Sequence, residues 1–319
     1  MKLLVLIDLK DKYLDDLRES FSELEIVKSL EIEEQKKEIK DAEIVICGGN
    51  GLKEELLKAA NNLQWIQSWS AGLDAFNNDQ ILEQLQEKEI KLCSSSGIHG
   101  DPIAEHVMGF LINYSRRLYD YYRMQQKKEW DFIQVDQLSG KSLAIIGLGS
   151  IGLEIAARAK AFNMTTLGVK RNFSENIDNI DELSYNHQLL EVLEKADYIV
   201  VTVPLTDETR DMFGEKEFAV MKKSAFFVNI ARGGVVDEKA LIKALERKEI
   251  AGAGLDVFAE EPLDSDSPLY QMENVYITPH VSGAHPDYNK NAIGIFKENL
   301  VRYLDEEELI NLMDYSLGY

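Results

Sequence analysis

Leu143-Ala144-Ile145-Ile146-Gly147-Leu148-Gly149-Ser150-Ile151-Gly152, continued by Leu153-Glu154-Ile155-Ala156-Ala157-Arg158-Ala159-Lys160-Ala161-Phe162, decides the fold. An apolar run suited to a buried strand meets three glycines, and an Ala-rich amphipathic segment follows at once. The order is strand, tight turn, helix. Each glycine has its own physical task. Gly147 allows the sharp turn, Gly149 lets a pyrophosphate approach the backbone, and Gly152 lets the helix pack close to the strand. The helix N-terminus offers N–H groups and partial positive charge to phosphates. The glycine spacing alone is weak evidence, but between a strand and a helix it points to a bound dinucleotide. A glycine cluster in a surface loop would not need these flanks.

Upstream, residues 3–7 and 44–46 are apolar runs that suit buried parallel strands, and residues 90–93 read as a short strand. Further strands are expected around Ile26 and over Trp65, Ile66 and Trp69. Leu14, Leu17 and Phe21 fall at helical spacing, residues 52–60 read as a helix, and the charged stretch 28–40 reads as solvated loop and helix. Alternating strands and helices predict an open parallel sheet covered on both faces.

Asp101-Pro102 reads as an N-cap with Pro at the first helical position. It opens a long helix, from Ile103 to about Tyr122, that crosses from one domain to the next. After a linker at 136–140 the alternation resumes, with strands at 165–169, 196–201, 225–229, 254–257 and 275–278 and helices at 189–195 and 238–246. Asp41 to Ile46 and Ala196 to Val201 echo each other, too briefly to count as a repeat. Ile293, Phe296, Leu300 and Leu304 form one stripe of a final helix that is expected to return to the first domain.

A chain of 319 residues favours two domains over one core. The split expected is residues 1–98 with 283–319, and residues 99–282 for the dinucleotide. A net charge of −21 disfavours nucleic acid and anionic membrane surfaces as partners. Cys47 and Cys93 show no metal spacing and read as reduced core thiols of a cytoplasmic protein. The first residues fit a β-strand rather than a secretion signal, and no apolar run approaches bilayer length.

In open sheets, ligands collect at the carboxyl ends of strands. Arg232 follows the strand ending at Asn229, Asp256 ends the next, Glu261 lies five residues on, and His280 follows the last. A guanidinium can hold a carboxylate with two hydrogen bonds. An imidazole backed by a carboxylate can move a proton near neutral pH. Singly, Arg232 could cap a helix, Glu261 could be one more solvated acid among 56, and His280 could be structural. Together behind a dinucleotide turn they compose a hydride-transfer site.

From about Leu63 onward the chain resembles the D-isomer-specific 2-hydroxyacid dehydrogenases. The resemblance is carried by Ser70-Ala71-Gly72-Leu73-Asp74, Ala104-Glu105-His106, Leu138-Ser139-Gly140-Lys141, Ala161-Phe162-Asn163-Met164 and Val203-Pro204-Leu205-Thr206. Further on it is carried by Asn229-Ile230-Ala231-Arg232-Gly233-Gly234, Gly254-Leu255-Asp256-Val257-Phe258, Glu261-Pro262-Leu263 and Thr278-Pro279-His280. Residues 1–62 match in pattern only.

The resemblance implies two doubly wound parallel-sheet domains, one flavodoxin-like for substrate and one Rossmann for the dinucleotide, with a cleft between them that closes over the substrate. It implies that Arg232 binds the substrate carboxylate, that His280 is the acid/base and that Glu261 is its partner. Backbone N–H groups of Ala71, Gly72 and Leu73 would also hold the carboxylate. The cofactor would touch Gly147, Leu148, Gly149, Ser150, Ile151, Gly152, Val203, Pro204, Thr209, Ile230, Ala231 and Asp256. Family members pair as dimers through the nucleotide domain, and residues 125–133, with Trp130, resemble the dimer arm, whose Trp can reach the partner's cleft.

The expected activity is reduction of a small 2-keto acid to a D-2-hydroxy acid, of the glyoxylate or hydroxypyruvate reductase kind. Glu261 stands where formate dehydrogenases of the superfamily carry Gln, so proton transfer is expected and formate chemistry is not. No tail like the regulatory domain of longer phosphoglycerate dehydrogenases is expected. One departure concerns the cofactor. An acid at the end of the second strand would bind the ribose 2′-hydroxyl. Here Lys170-Arg171 stand there instead, and two cations suit a 2′-phosphate, so NADP(H) is expected over NAD(H). The alternative is that both simply face water. A different class of function, a cofactor-sensing corepressor on the same fold, stays open. An amino-acid dehydrogenase would leave residues 229–234 and 278–280 unexplained. Phe76 reads as core and His99 as a cap of the long helix.

Overall fold

The structure is a computed structural model and describes residues 1–172 and 176–315; residues 316–319, the end of the expected first domain, lie outside the described residues. The chain begins with β1 (Lys2–Val5), α1 (Asp11–Ser20), β2 (Glu25–Lys28), α2 (Ile32–Glu38), β3 (Ile44–Cys47), α3 (Glu54–Ala59), β4 (Trp65–Ser68), α4 (Asp79–Glu87) and β5 (Lys91–Cys93). There follow α5 (Gly100–Arg116), α6 (Leu118–Lys127), β6 (Ser142–Ile146), α7 (Ser150–Ala161), β7 (Thr165–Lys170), β8 (Glu182–Tyr185), α8 (Leu189–Lys195) and β9 (Tyr198–Val201). The last elements are α9 (Glu215–Val220), β10 (Phe226–Asn229), α10 (Glu238–Glu246), β11 (Gly252–Leu255), β12 (Val275–Ile277) and α11 (Tyr288–Leu304). Two compact units result. One joins Met1–Ile98 to the described residues from His285 onward, and the other is His99–Ala284. Gly283 lies in the second unit, where a Cβ added to it would stand 3.1 Å from the His99 ring.

The first unit has five parallel strands in the order β2-β1-β3-β4-β5. This is the flavodoxin-like doubly wound order. Helices cover both faces, so β3 is buried along its length and reads as unbroken Ile-Val-Ile-Cys. Helix α11 returns here: Phe296 stacks on Trp65 with ring centroids 5.0 Å apart, and Asn299 Nδ2 donates to Gln67 Oε1 at 3.3 Å. Ile293, Phe296 and Leu300 are buried as expected, but Leu304 is 54 % exposed. The helix ends there, and its neighbour Tyr303 turns inward to stack on Trp65 instead. Past the helix, Leu312 pairs antiparallel with Cys93, and Met313 N–H donates to the Leu92 carbonyl, covering the β5 edge. Phe76 is buried, and burial pushes both free thiols, Cys47 and Cys93, up to about 12.

The second unit has seven parallel strands in the order β12-β11-β10-β9-β6-β7-β8. Numbered from β6, this is the 3-2-1-4-5-6 order of the Rossmann fold with a seventh strand added. Strand residues alternate between two cores. Ile146, Val201 and Phe227 face one, and Ile145, Val200 and Val228 face the other.

Two readings of the helix after His99 need correction. The helix begins at Gly100 with His99 at the cap position, so Asp101 is its second residue and not its cap. The Asp101 carboxylate is drawn instead to Arg158 of α7. The helix also stops at Arg116: Arg117 takes a left-handed conformation, φ 56°, and α6 starts a new axis. No helix among the described residues is long and apolar enough to cross a membrane.

Candidate active site

The glycine turn is built as a tight latch. Gly147 has φ +104°, a value that strains any side chain, and its N–H donates to the Val169 carbonyl at 3.0 Å. The Thr202 hydroxyl, at the end of β9, donates to the Gly147 carbonyl at 2.7 Å. A Cβ on Gly152 would lie 2.1 Å from that same carbonyl oxygen, so turn and helix touch backbone to backbone. Gly149 is different: nothing lies within 4 Å of where its Cβ would be. That space sits at the cap of α7, whose first turn carries no acid to oppose an anion. The residues present therefore fit a pyrophosphate over Gly149, with Leu148, Ser150 and Ile151 alongside. At the end of β7, Lys170 is half-buried, and Arg171 Nη1 lies 3.6 Å from Glu208 in the loop after β9. That loop begins with Val203 and Pro204. The Thr209 hydroxyl is spent within it, donating to the Pro204 carbonyl at 2.6 Å and accepting from Thr206 N–H at 2.8 Å.

Three neighbouring strands, β10, β11 and β12, end in polar residues. After β10, buried Asn229 folds the chain back on itself: its Oδ1 accepts from Ala231 N–H at 3.1 Å and its Nδ2 donates to the Arg232 carbonyl at 3.1 Å. Ile230 and Ala231 are buried within this turn and Arg232 is half-buried, with Nη1 donating to the Ala231 carbonyl at 2.7 Å. Gly233 then abuts the segment after β11 so closely that a Cβ would fall 1.8 Å from the Phe258 carbonyl atoms. Phe258 N–H in turn donates to Glu261 Oε1 at 3.0 Å. The other Glu261 oxygen, Oε2, lies 2.8 Å from His280 Nδ1. The backbone thus ties Arg232 to the Glu261–His280 pair through one contact.

Asp256 organises the third strand end. Its side chain is fully buried. Its Oδ1 accepts from the Thr278 hydroxyl at 2.6 Å and Val281 N–H at 2.9 Å, and its Oδ2 from Ser282 N–H at 3.0 Å. Burial pushes the carboxyl up, but hydrogen bonds from Ser282, Thr278 and the backbone outweigh it and hold Asp256 below its ordinary value. His280 N–H donates to the Asp256 carbonyl at 2.8 Å, which holds His280 at φ 51°. Such a conformation costs a non-glycine residue about 1–3 kcal/mol, and it persists where surroundings over-determine it. The His280 ring stays 48 % exposed. An exposed imidazole with a carboxylate on Nδ1 keeps Nε2 for proton transfer.

In the first unit, Ala71 and Gly72 are half-buried and Leu73 is buried in the turn after β4, anchored by Ser95 N–H on the Ser70 carbonyl at 2.8 Å. A cavity of about 430 Å³ in the second unit opens at the opposite, amino ends of the strands, between Tyr114, Asp136, Lys141, Asp197, Tyr198 and Ser224. It lies at the other end of the strands from Arg232, Asp256 and His280. Sequence reasoning passed over Thr202 and gave Thr278 no role of its own; their hydroxyls latch the turn and the His280 loop.

Comparison with known proteins gives the family. Residues 108–282 match the family model for the NAD-binding domain of D-isomer-specific 2-hydroxyacid dehydrogenases. The chain is 38 % identical over 257 residues to glyoxylate/hydroxypyruvate reductase B of Enterobacter sp. strain 638, covering 78 % of each. It is 33 % identical over 299 residues to D-3-phosphoglycerate dehydrogenase of Methanocaldococcus jannaschii, covering 93 % of this chain and 56 % of that longer protein. A crystal structure of a D-isomer-specific 2-hydroxyacid dehydrogenase family protein from Aeromonas salmonicida superposes with a TM-score of 0.89 at 32 % identity, covering 98 % of this chain and 99 % of that one. The chain belongs to the D-isomer-specific 2-hydroxyacid dehydrogenases.

Proposed function

We propose that the protein reduces a small 2-keto acid, of the glyoxylate or hydroxypyruvate class, to the D-2-hydroxy acid. The observation that carries this reading is the 2.8 Å pair of His280 Nδ1 and Glu261 Oε2, set on a strand end beside the Arg232 turn. A bound nicotinamide supplies the hydride. Arg232 holds the substrate carboxylate and draws charge from the carbonyl oxygen, and backbone N–H groups of Ala71, Gly72 and Leu73 hold the same carboxylate. His280, protonated and backed by Glu261, gives its Nε2 proton to the oxygen as it becomes a hydroxyl.

The cofactor preferred is NADP(H). Lys170 and Arg171 at the end of β7 support this, because two cations match a 2′-phosphate and an acid is missing where NAD selection uses one. Two copies pair through the nucleotide-binding unit. Trp130 and Phe132, 99 % and 80 % exposed, support a covered apolar face there.

A panel of glyoxylate, hydroxypyruvate and pyruvate with NADPH and NADH tests the reading. Turnover is expected with NADPH ahead, and His280→Asn is expected to lower kcat by about a hundredfold or more. A clear NADH advantage refutes the cofactor assignment. Cofactor binding with no turnover on any of the three would instead favour a cofactor-sensing role.

A further inference from the structure

We infer that His106 is a positioning residue for the proposed site, acting through Thr278 on the loop that carries His280; this rests on the reading of His280 as the proton donor. His106 lies on α5, and its Nε2 is 3.0 Å from the Thr278 hydroxyl oxygen. That hydroxyl has one hydrogen, and it goes to Asp256 Oδ1 at 2.6 Å, because an ionised carboxylate accepts only. The Thr278 oxygen therefore accepts from His106, which fixes His106 as the Nε2–H tautomer. The bonds converge on Asp256: His106 Nε2–H donates to Thr278, Thr278 O–H donates to Asp256, and the N–H groups of Val281 and Ser282, just after His280, donate to the same carboxylate.

The ring is held for this task. Phe110, one turn further along α5, meets His106 edge to face with centroids 4.7 Å apart. Phe110 itself lies so close to Gly254 of β11 that a Cβ there would fall 2.8 Å from its ring. Helix α5 is thereby pressed on the strand that ends in Asp256, and His106 reaches the end of the next strand. Burial lowers the affinity of His106 for a second proton, against a smaller opposing pull from Asp256, so the neutral form is favoured. Without the His106 donor, the Thr278 hydroxyl is free to rotate. Its bond to Asp256 loosens, and with it the loop holding His280.

The test compares His106→Leu, His106→Gln and Thr278→Val in the full chain. A Gln side chain can place an amide N–H where Nε2–H stands, and Leu cannot. H106L is expected to lower kcat for keto-acid reduction about tenfold or more, since small misplacements far from the chemistry cost that much, with the NADPH dissociation constant within about twofold. H106Q is expected to recover to within about threefold of the parent. H106L added to T278V is expected to lower kcat no further. The inference is overturned if H106L keeps the parental kcat while His280→Asn does not, or if H106Q falls as far as H106L.

Should the parent reduce no keto acid, the proposed function fails by itself. Imidazole 15N spectra then judge the inference alone. An Nε2–H tautomer at His106 whose Nε2 signal moves in T278V supports it, and an Nδ1–H tautomer overturns it.

Discussion

Gly149 and Gly152 stand three residues apart in the same turn, yet alanine should do opposite things at each. At Gly152 the new Cβ would lie 2.1 Å from the Gly147 carbonyl oxygen. Relief to a tolerable 3.0 Å requires turn and helix to part by about 0.9 Å. Overpacking of this kind costs about 1–3 kcal/mol, or several degrees of melting temperature for a unit of this size. It also moves the α7 N-terminus off the phosphates, and a misplacement near 1 Å weakens binding about tenfold to a hundredfold. At Gly149 the Cβ meets nothing within 4 Å, and φ is −84°, which any residue adopts. Gly149→Ala should therefore leave stability within about 0.5 kcal/mol while filling the space a pyrophosphate needs. Calorimetry of the free protein and fluorescence titration with NADPH separate the two effects. G152A should lose stability and affinity together, and G149A affinity alone. Parental melting of G152A, or parental NADPH affinity of G149A, would refute the assignment of the turn.

Gly233→Ala should be among the most damaging substitutions in the second unit, because its Cβ falls 1.8 Å from backbone rather than from a side chain that can move; soluble yield and melting temperature measure this. Glu261→Gln keeps an acceptor for Phe258 N–H but takes the charge from His280, so kcat should fall about tenfold or more with the fold intact by circular dichroism; an unchanged kcat sinks the pair's proposed role. Stability should also fall with pH in two steps. His106 is held below its ordinary 6.5, so the unfolded chain takes up that proton first as pH drops through 6.5, and the folded state loses ground until His106 itself protonates. Asp256 is held below 3.8, so its contribution is complete above that value and is lost as pH falls through the folded one. Urea midpoints from pH 7 to 3 check both steps, and H106Q should lack the upper one.

What the sequence made legible was local or periodic. Gly147, Gly149 and Gly152 announce themselves by spacing, and buried parallel strands such as Ile44–Cys47 by unbroken apolar runs. Strand β8 went unread because its residues, Glu-Leu-Ser-Tyr, sit at a sheet edge with none fully buried. Helices α4 and α9 are short, and each buries only one residue fully, Leu85 and Phe218, with Ile81 and Leu82 or Val220 partly buried beside it. The break at Arg117 carries no Gly or Pro to mark it. Asp101 looked like a cap because its competitor, Arg158, is distant in sequence. Arg232, Glu261 and His280 could be nominated because strand ends are where ligands gather. The roles of Thr278 and His106 could not, since their bond joins residues 172 apart.

The first unit is interrupted in the chain by the whole of the second. Gln67 finds its partner Asn299 only 232 residues later. At ribosomal speeds that interval lasts roughly ten to fifty seconds. During it the nascent five-stranded sheet lacks the helix that covers Trp65, while the nucleotide-binding unit is complete as soon as it emerges. The order of completion thus opposes the order of synthesis: the half that begins first is finished last, and its exposed tryptophan face needs shielding until then.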